Sequence, residues 1–288
     1  MEGLIVKALS GFYYVKTDEG TVECRARGRF RLDGSSPLVG DRVVVSLDAQ
    51  NRGRVDKILP RRNMFIRPAV ANIDALVAVA SVSEPETDPF LIDRVAATAE
   101  RAGCEVIVCI NKADTGDAGK LASIYDGTGY TVIVTSAAKG DGIDGLRRAI
   151  DGKICAFSGN SGVGKSSLLN ALEPSLNLPT GEISEKLGRG RHTTRHVELF
   201  RVAGALVADT PGFGSFDVEQ MPPIPKEELQ LCFPEFKEYI GCCRFDDCAH
   251  IKEPDCAVRS AVEDGKIAPS RYQSYVRLYE IEAQRPTY

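Results

Sequence analysis

The chain has 288 residues, 43% of them hydrophobic, enough for two or three domains with real cores. Lys and Arg number 36 against 40 Asp and Glu, net −4, which excludes a polycation that coats nucleic acid by charge alone. The longest apolar runs, such as 75–80, are far short of the roughly 20 residues needed to cross a bilayer.

The charge is unevenly placed. Residues 1–67 hold 13 basic and 8 acidic side chains, net +5, and the remainder holds 23 and 32, net −9. A basic N-terminal module on an acidic body suits a face that meets a polyanion. The first ten residues lack the basic and apolar regions of a signal peptide, so a soluble, cytoplasmic protein is expected. Nine cysteines, an odd number, fit a reducing compartment. Cys24, Cys104, Cys109 and Cys155 lie in or beside apolar strand-like runs and are expected as reduced core residues.

Residues 1–60 alternate short strands with turn signals: L-I-V-K-A, F-Y-Y-V-K-T, T-V-E-C-R-A, D-R-V-V-V-S-L and G-R-V-D-K-I. Five short strands in this length predict a closed all-β barrel of OB type. Arg25, Arg27, Arg29 and Arg31 alternate, so one strand would place all four on a single face that tracks a phosphate backbone. Phe12, Tyr13, Tyr14 and Phe30 would add stacking surfaces for RNA.

A basic linker, P-R-R-N-M-F-I-R at 60–67, leads to the apolar run N-I-D-A-L-V-A-V-A-S, suited to a buried parallel strand. Residues 89–102 carry helix signals, with Asp88 as N-cap, Pro89 next and Gly103 beyond the end. C-E-V-I-V-C-I is the next buried strand and ends in N-K-A-D at 111–114. A helix over 116–126, the strand Y-T-V-I-V-T-S, the loop S-A-A-K at 136–139 and a helix over 143–150 follow. This alternation predicts a doubly wound parallel sheet, whose ligands bind beyond the carboxyl ends of the strands.

The next strand, K-I-C-A-F-S at 153–158, runs into G-N-S-G-V-G-K-S at 159–166, and a helix follows. Strand, glycine-rich loop and helix are the setting a phosphate loop requires. Gly159, Asn160, Ser161, Gly162, Val163 and Gly164 would turn successive backbone N–H groups onto one anion. The helix N-terminus adds positive potential. Lys165 would reach the β and γ phosphates, Ser166 would ligate Mg²⁺, and Ser167 follows in the first turn. In N-K-A-D, the Asp114 carboxylate can pair with two adjacent guanine donors, and adenine would leave it unpaired. Asn111 and Lys112 would brace the loop and cover the base. Ser136 and Ala137 resemble the second base-contacting loop of GTPases, where backbone N–H meets the guanine carbonyl.

The polar loop 180–195, T-G-E-I-S-E-K-L-G-R-G-R-H-T-T-R, is long enough to be functional. It stands where GTPases close on the γ-phosphate. Thr194, with Thr193 as the alternative, would be a second Mg²⁺ ligand. Two strands lead to D-T-P-G-F at 209–213, where Asp209 would hold the metal through water and the Gly212 N–H would bond the γ-phosphate.

At the C-terminus, C-C-R-F-D-D-C-A-H at 242–250 is followed, after five residues, by Cys256. Thiolates with an imidazole at such spacing form a tetrahedral zinc site: Cys248, His250, Cys256 and either Cys242 or Cys243. Such a site is closed and structural, and it would organise a helical module too small to stand on its own core. Helices are expected over 257–265 and 270–283. Tyr272, Tyr275, Arg277 and Tyr279 of the second are expected to pack on the body.

Ordinary GTPases place the phosphate loop first and the base-reading loops last. Here the order is circularly permuted. With V-G-D-R-V, N-K-A-D, G-N-S-G-V-G-K-S-S, G-R-G-R-H-T-T, D-T-P-G-F and the terminal cysteines, the chain resembles the RsgA (YjeQ) family over nearly its whole length. The resemblance implies a GTPase stimulated by the small ribosomal subunit, which assists that subunit's late assembly. It implies an N-terminal OB-type barrel over 1–68, a circularly permuted α/β P-loop domain over 69–220 and a zinc-binding helical module over 221–288. Ribosomal RNA and GTP/GDP would be its partners, and a monomer its state. It selects Cys243 over Cys242 as the first zinc ligand. It also implies that the apolar Phe213, where many GTPases carry a water-orienting Gln, is usual for the family. A phenyl ring cannot orient water, so another residue must, and His192 beside the threonine pair is the candidate.

Overall fold

In the computed structural model of the chain, the described residues are 1–28, 30, 36–50, 52–66, 68–180, 197–209 (Asp209 by its backbone) and 223–285. Strands β1 (Glu2–Leu9), β2 (Phe12–Thr17), β3 (Gly20–Ala26), β4 (Arg42–Leu47) and β5 (Gly53–Ile58) pair in the order β1-β2-β3-β5-β4. β4 pairs back onto β1, which closes the expected barrel. Alternation along each strand turns Ile5, Val15, Cys24, Val43 and Val55 into its buried core.

The arginine run is not the single-strand face that alternation predicts. β3 ends at Ala26, so of Arg25 and Arg27 only Arg25 lies on it. Arg25 stacks over the Phe12 ring at 4.5 Å, whereas Arg27 turns back to Asp56 at 2.6 Å. Phe30 is buried in the core and offers no stacking surface. Arg29 and Arg31 lie outside the described residues.

The basic linker is tied down on both sides. Arg61 meets Asp41 of V-G-D-R-V through two bonds of 2.7 Å, with Asp41 fully buried. This is a fork-to-fork guanidinium–carboxylate pair. The short strands β6 (Met64–Phe65) and β7 (Val70–Ala71) then form a separate ladder, and Phe65, Val70 and Ile73 join the barrel core to the next layer.

The second body is a sheet of β8 (Ala75–Ser81), β9 (Glu105–Asn111), β10 (Thr131–Val134), β11 (Ile154–Ser158), β12 (Val197–Val202) and β13 (Ala205–Asp209) in the order β10-β9-β8-β11-β13-β12. All pairs are parallel except β12 with β13. The phosphate-loop strand β11 therefore lies centrally, between a strand earlier in the chain and one later. That arrangement is the doubly wound sheet in permuted order. β1 of the barrel adds antiparallel to β12, and Lys7 pairs with Glu198 at 2.8 Å, so barrel and sheet are hydrogen-bonded into one ladder.

Helix α1 (Pro89–Arg101) starts where Asp88 accepts a 3.0 Å bond from the Phe90 N–H. Its Ile92, Val95, Ala96 and Ala99 pack on one face of the sheet. The helix expected over 116–126 is shorter, α2 (Gly119–Ala122), and continues as a 3₁₀ turn at Ser123–Tyr125. Helices α3 (Ile143–Ile150) and α4 (Lys165–Leu172) cover the other face. The remaining helices are α5 (Lys226–Leu229), α6 (Ala257–Glu263) and α7 (Pro269–Ala283). They build a small module around Phe233, Phe236 and Tyr275, which also buries Phe90 and Ala97 of α1. Tyr275 is buried in the module as expected, whereas Arg277 stays exposed and lies over the Phe90 ring of α1 at 3.8 Å. Among the described residues no helix is long and apolar enough to cross a membrane.

Candidate active site and metal centre

Four loops at the carboxyl ends of β8, β9, β10 and β11 converge. The loop after β11 needs glycine at two points of close approach. A Cβ at Gly159 would collide with the Val79 carbonyl oxygen, and one at Gly164 with the Asn111 amide. Gly164, at φ 94°, also makes the left-handed turn into α4. No side chain caps α4, so its first N–H groups face the loop's mouth. Asn160, Ser161 and Gly162 are exposed there, Val163 is buried, and Ser166 and Ser167 open the helix half-buried. Lys165 folds over the loop and donates to the carbonyls of Gly159 at 2.7 Å and Asn160 at 2.9 Å. Burial pushes its ammonium down to about 8.

Asn111 joins this loop to the loop after β10. Its buried amide donates to the Val163 carbonyl at 2.9 Å, while its oxygen accepts from the Ala137 N–H at 3.1 Å and the Thr135 hydroxyl at 3.3 Å. Lys112 has φ 64° and donates to the Glu84 carbonyl at 2.6 Å. Asp114 is exposed, with one oxygen held by the Ser136 hydroxyl at 2.7 Å. That hydrogen bond holds its carboxyl below the ordinary range, so it stays ionised to lower pH than a free carboxylate. In the structure the Ala137 N–H is directed to the Asn111 side chain, and the Ser136 N–H to the Asp141 carbonyl. The Ser136 hydroxyl is the group that meets Asp114.

Sequence reading passed over Thr135 and the loop after β8, where Pro85 packs on Gly162 and Glu84 receives Lys112. Neither carries a residue type that signals nucleotide chemistry. Thr193, Thr194, His192, Gly212, Phe213 and the Asp209 side chain lie outside the described residues.

The C-terminal module brings Cys243, Cys248, His250 and Cys256 together, with ligand atoms all within 4.8 Å of one another. Sγ of Cys243 and Cys256 are 3.9 Å apart, and His250 Nδ1 is 3.5 Å and 3.4 Å from them. The sulfurs are too far apart for a disulfide. A tetrahedral zinc with ordinary bond lengths requires about 3.8 Å between sulfurs and about 3.5 Å from nitrogen to sulfur. The donor set and spacing therefore fit one metal ion. Cys242 is exposed and outside the cluster. Glu253 accepts the N–H groups of Ala249, Ile251 and Lys252, and Tyr272 donates to the His250 carbonyl at 2.8 Å, which fixes the ligand-bearing turn.

A family profile described as RsgA GTPase matches residues 58–219, and one described as RsgA N-terminal domain matches residues 2–55. A "Small ribosomal subunit biogenesis GTPase RsgA" of Caldanaerobacter subterraneus subsp. tengcongensis is 46% identical over 282 aligned positions, covering 96% of this chain and 94% of the relative. A protein of that name from Bacillus cereus is 46% identical over 294, covering 100% and 99%. Among solved structures, YjeQ from Thermotoga maritima superposes with TM-score 0.85 at 37% identity, covering 99% of each chain. YloQ, described as a circularly permuted GTPase, superposes with TM-score 0.80 at 38% identity, covering 100% and 96%. The barrel and the permuted sheet thus agree with both profiles and with full-length relatives, and the chain belongs to the RsgA family of GTPases.

Proposed function

We propose that this chain hydrolyses GTP to GDP and phosphate on the small ribosomal subunit, assists that subunit's late assembly, and uses hydrolysis to drive its own release. The observation that carries this is the Asn111 amide. It ties a phosphate loop to an ionised, hydroxyl-braced Asp114 that selects guanine. An ATPase would gain nothing from that carboxylate, since adenine offers it no paired donors. The names of the full-length relatives support the small subunit as partner.

In this reading Asp114 accepts from the guanine N1–H and 2-amino groups, with Asn111, Lys112, Ser136 and Ala137 around the base. Residues 159–167 cradle the phosphates through backbone N–H groups. Lys165 exchanges the carbonyls of Gly159 and Asn160 for the β and γ phosphates. Mg²⁺ supplies charge neutralisation at the phosphates when bound, and Ser166, Thr194 and Asp209 are the residues that would hold it. The Gly212 N–H would sense the γ-phosphate, and His192 would orient the attacking water. One structural zinc would be held by Cys243, Cys248, His250 and Cys256. The barrel would meet ribosomal RNA, with Arg25 as its foremost contact and Arg27, Arg29 and Arg31 as further candidates. We place the domain boundaries at 1–68, 69–220 and 221–288, and infer a cytoplasmic monomer.

The test is GTP hydrolysis by the purified protein alone, with small subunits, and with large subunits as control. Stimulation by small subunits only is the expected result. Equal rates in all three, with GTP still bound, would overturn the small-subunit assignment. Equal affinity for ATP would overturn the guanine assignment.

A further inference from the structure

The metal-ligating imidazole has a second partner outside the cysteine cluster. His250 Nε2 lies 2.8 Å from Oε1 of Gln230, twenty residues earlier. His250 is almost wholly buried. On the other side of the ring, Nδ1 is the atom that sits among the sulfurs. A lone pair given to a metal at Nδ1 leaves the ring's proton on Nε2, and that proton needs an acceptor. The Gln230 amide is oriented to provide one: its nitrogen points to the Glu227 carbonyl at 3.4 Å, which leaves the oxygen toward the imidazole.

We propose that Gln230 is a positioning residue of the metal centre, which fixes the tautomer and ring plane of His250 for ligation through Nδ1. This rests on the reading of the four-residue cluster as a zinc site. An outer partner that accepts from a ligating histidine raises the ligand's basicity, and its loss ordinarily costs 10–100-fold in metal affinity. Gln230 opens the 3₁₀ turn Gln230–Cys232, directly after α5. Its neighbour Leu229 is buried in the module core, and Glu228 pairs with Arg101 of α1 at 2.8 Å. The hydrogen bond therefore joins the ligand-bearing turn to the segment that seats the module on the sheet domain.

The experiment is zinc competition between the full-length protein and a chromophoric chelator. Gln230→Leu fills the space and removes the acceptor, and it should lower zinc affinity by about 10–100-fold. Gln230→Glu keeps an acceptor at the same reach and should hold zinc within a few-fold of wild type. Leu and Glu variants that both bind as wild type, or that both weaken equally, would overturn the proposal. Should the Leu variant not fold, ¹⁵N–¹H spectra of imidazole-labelled wild type decide it. The expected pattern is metal on Nδ1 with a slowly exchanging Nε2–H, and a metal-bound Nε2 or a rapidly exchanging Nε2–H would overturn it. If wild type held no zinc at all, the metal reading itself would fall, a result distinct from unequal or equal variants of a zinc-binding protein.

Discussion

The Asn111 amide nitrogen donates to the Val163 carbonyl at 2.9 Å, across 52 residues of chain. One buried side chain thereby fixes the distance between the glycine-rich loop after β11 and the loops after β9 and β10. Its oxygen satisfies Thr135 and Ala137 at the same time. Asn111→Ala would strand the Val163 carbonyl and the Ala137 N–H, while the Thr135 hydroxyl keeps the Ile110 carbonyl at 3.4 Å. Each unmet group costs about 1–3 kcal/mol, part of which relaxation recovers. GTP affinity should fall about 30-fold, corresponding to about 2 kcal/mol. Titration calorimetry with GDP and a non-hydrolysable GTP analogue checks it, and wild-type affinity in this variant would show that the loops hold their spacing without Asn111.

The Ser136 hydroxyl, 2.7 Å from Asp114, holds that exposed carboxyl below its ordinary range. A carboxyl whose value is lowered stays charged to lower pH, so preference for GTP over inosine triphosphate should be flat between about pH 6 and 8. Inosine lacks the 2-amino donor, so this ratio reads the carboxylate directly. Ser136→Ala should reduce the ratio several-fold, and Asp114→Asn should invert selectivity toward xanthosine triphosphate by roughly 10²-fold or more. A preference that rises steeply across that pH range would contradict an already ionised Asp114.

The chemistry-bearing loops were legible because their residue types have few other uses. A G-x-x-x-x-G-K-S between strand and helix, or N-K-A-D at a strand end, states its function locally. The barrel was legible from five strand–turn units. What failed was the extension of the arginine alternation past Ala26. A period-2 pattern presumes the strand continues, and here Arg27 is drawn to Asp56 while Phe30 is drawn into the core. Gln230, Thr135 and the Asp93–Arg271 pair were invisible for another reason. Each gains its role from a partner far along the chain, and Asp93 and Arg271 stand 178 residues apart.

That pair holds the C-terminal module on α1. Arg271 donates to Asp93 at 2.7 Å and to both oxygens of Glu235 at 2.7 and 3.0 Å, with its guanidinium 4.6 Å over the Phe233 ring. All three charges are nearly inaccessible to water. Arg271→Met leaves two buried carboxylates facing each other and should cost about 3–5 kcal/mol. Adding Asp93→Asn should recover part of that loss, measured as a non-additive double-mutant cycle in urea unfolding. Strict additivity would mean that the two side chains stabilise the seam independently.

On the barrel, Arg25 and Arg27 should part company. Arg25 is stacked on an aromatic ring and presents its guanidinium edge, whereas Arg27 is engaged by Asp56. Arg25→Ala should weaken binding to small subunits and reduce the steepness of its salt dependence. Arg27→Ala should change that steepness little. Sedimentation binding at several salt concentrations checks both, and an identical response of the two variants would remove the distinction.

Metal removal should unfold the C-terminal module and spare the barrel. The segment 223–285 has Phe233, Phe236 and Tyr275 as its main aromatic core, and the ligand-bearing turn closes over it, with Tyr275 bonded to the Ala249 carbonyl at 2.7 Å. A core of this size does not hold a fold without a staple, and three thiols and an imidazole without a metal supply none. Treatment with a strong chelator should therefore abolish near-ultraviolet ellipticity from the module's aromatic cluster and open residues 240–256 to protease. The barrel, closed by its own β1–β4 ladder and pinned by Arg61 to Asp41, should resist cleavage under the same conditions. Because α1 buries Phe90 and Ala97 against the module, the sheet domain should lose stability in step, seen as a lower urea midpoint. A chelated protein whose module keeps its protease resistance would show that packing on α1 alone suffices to hold it.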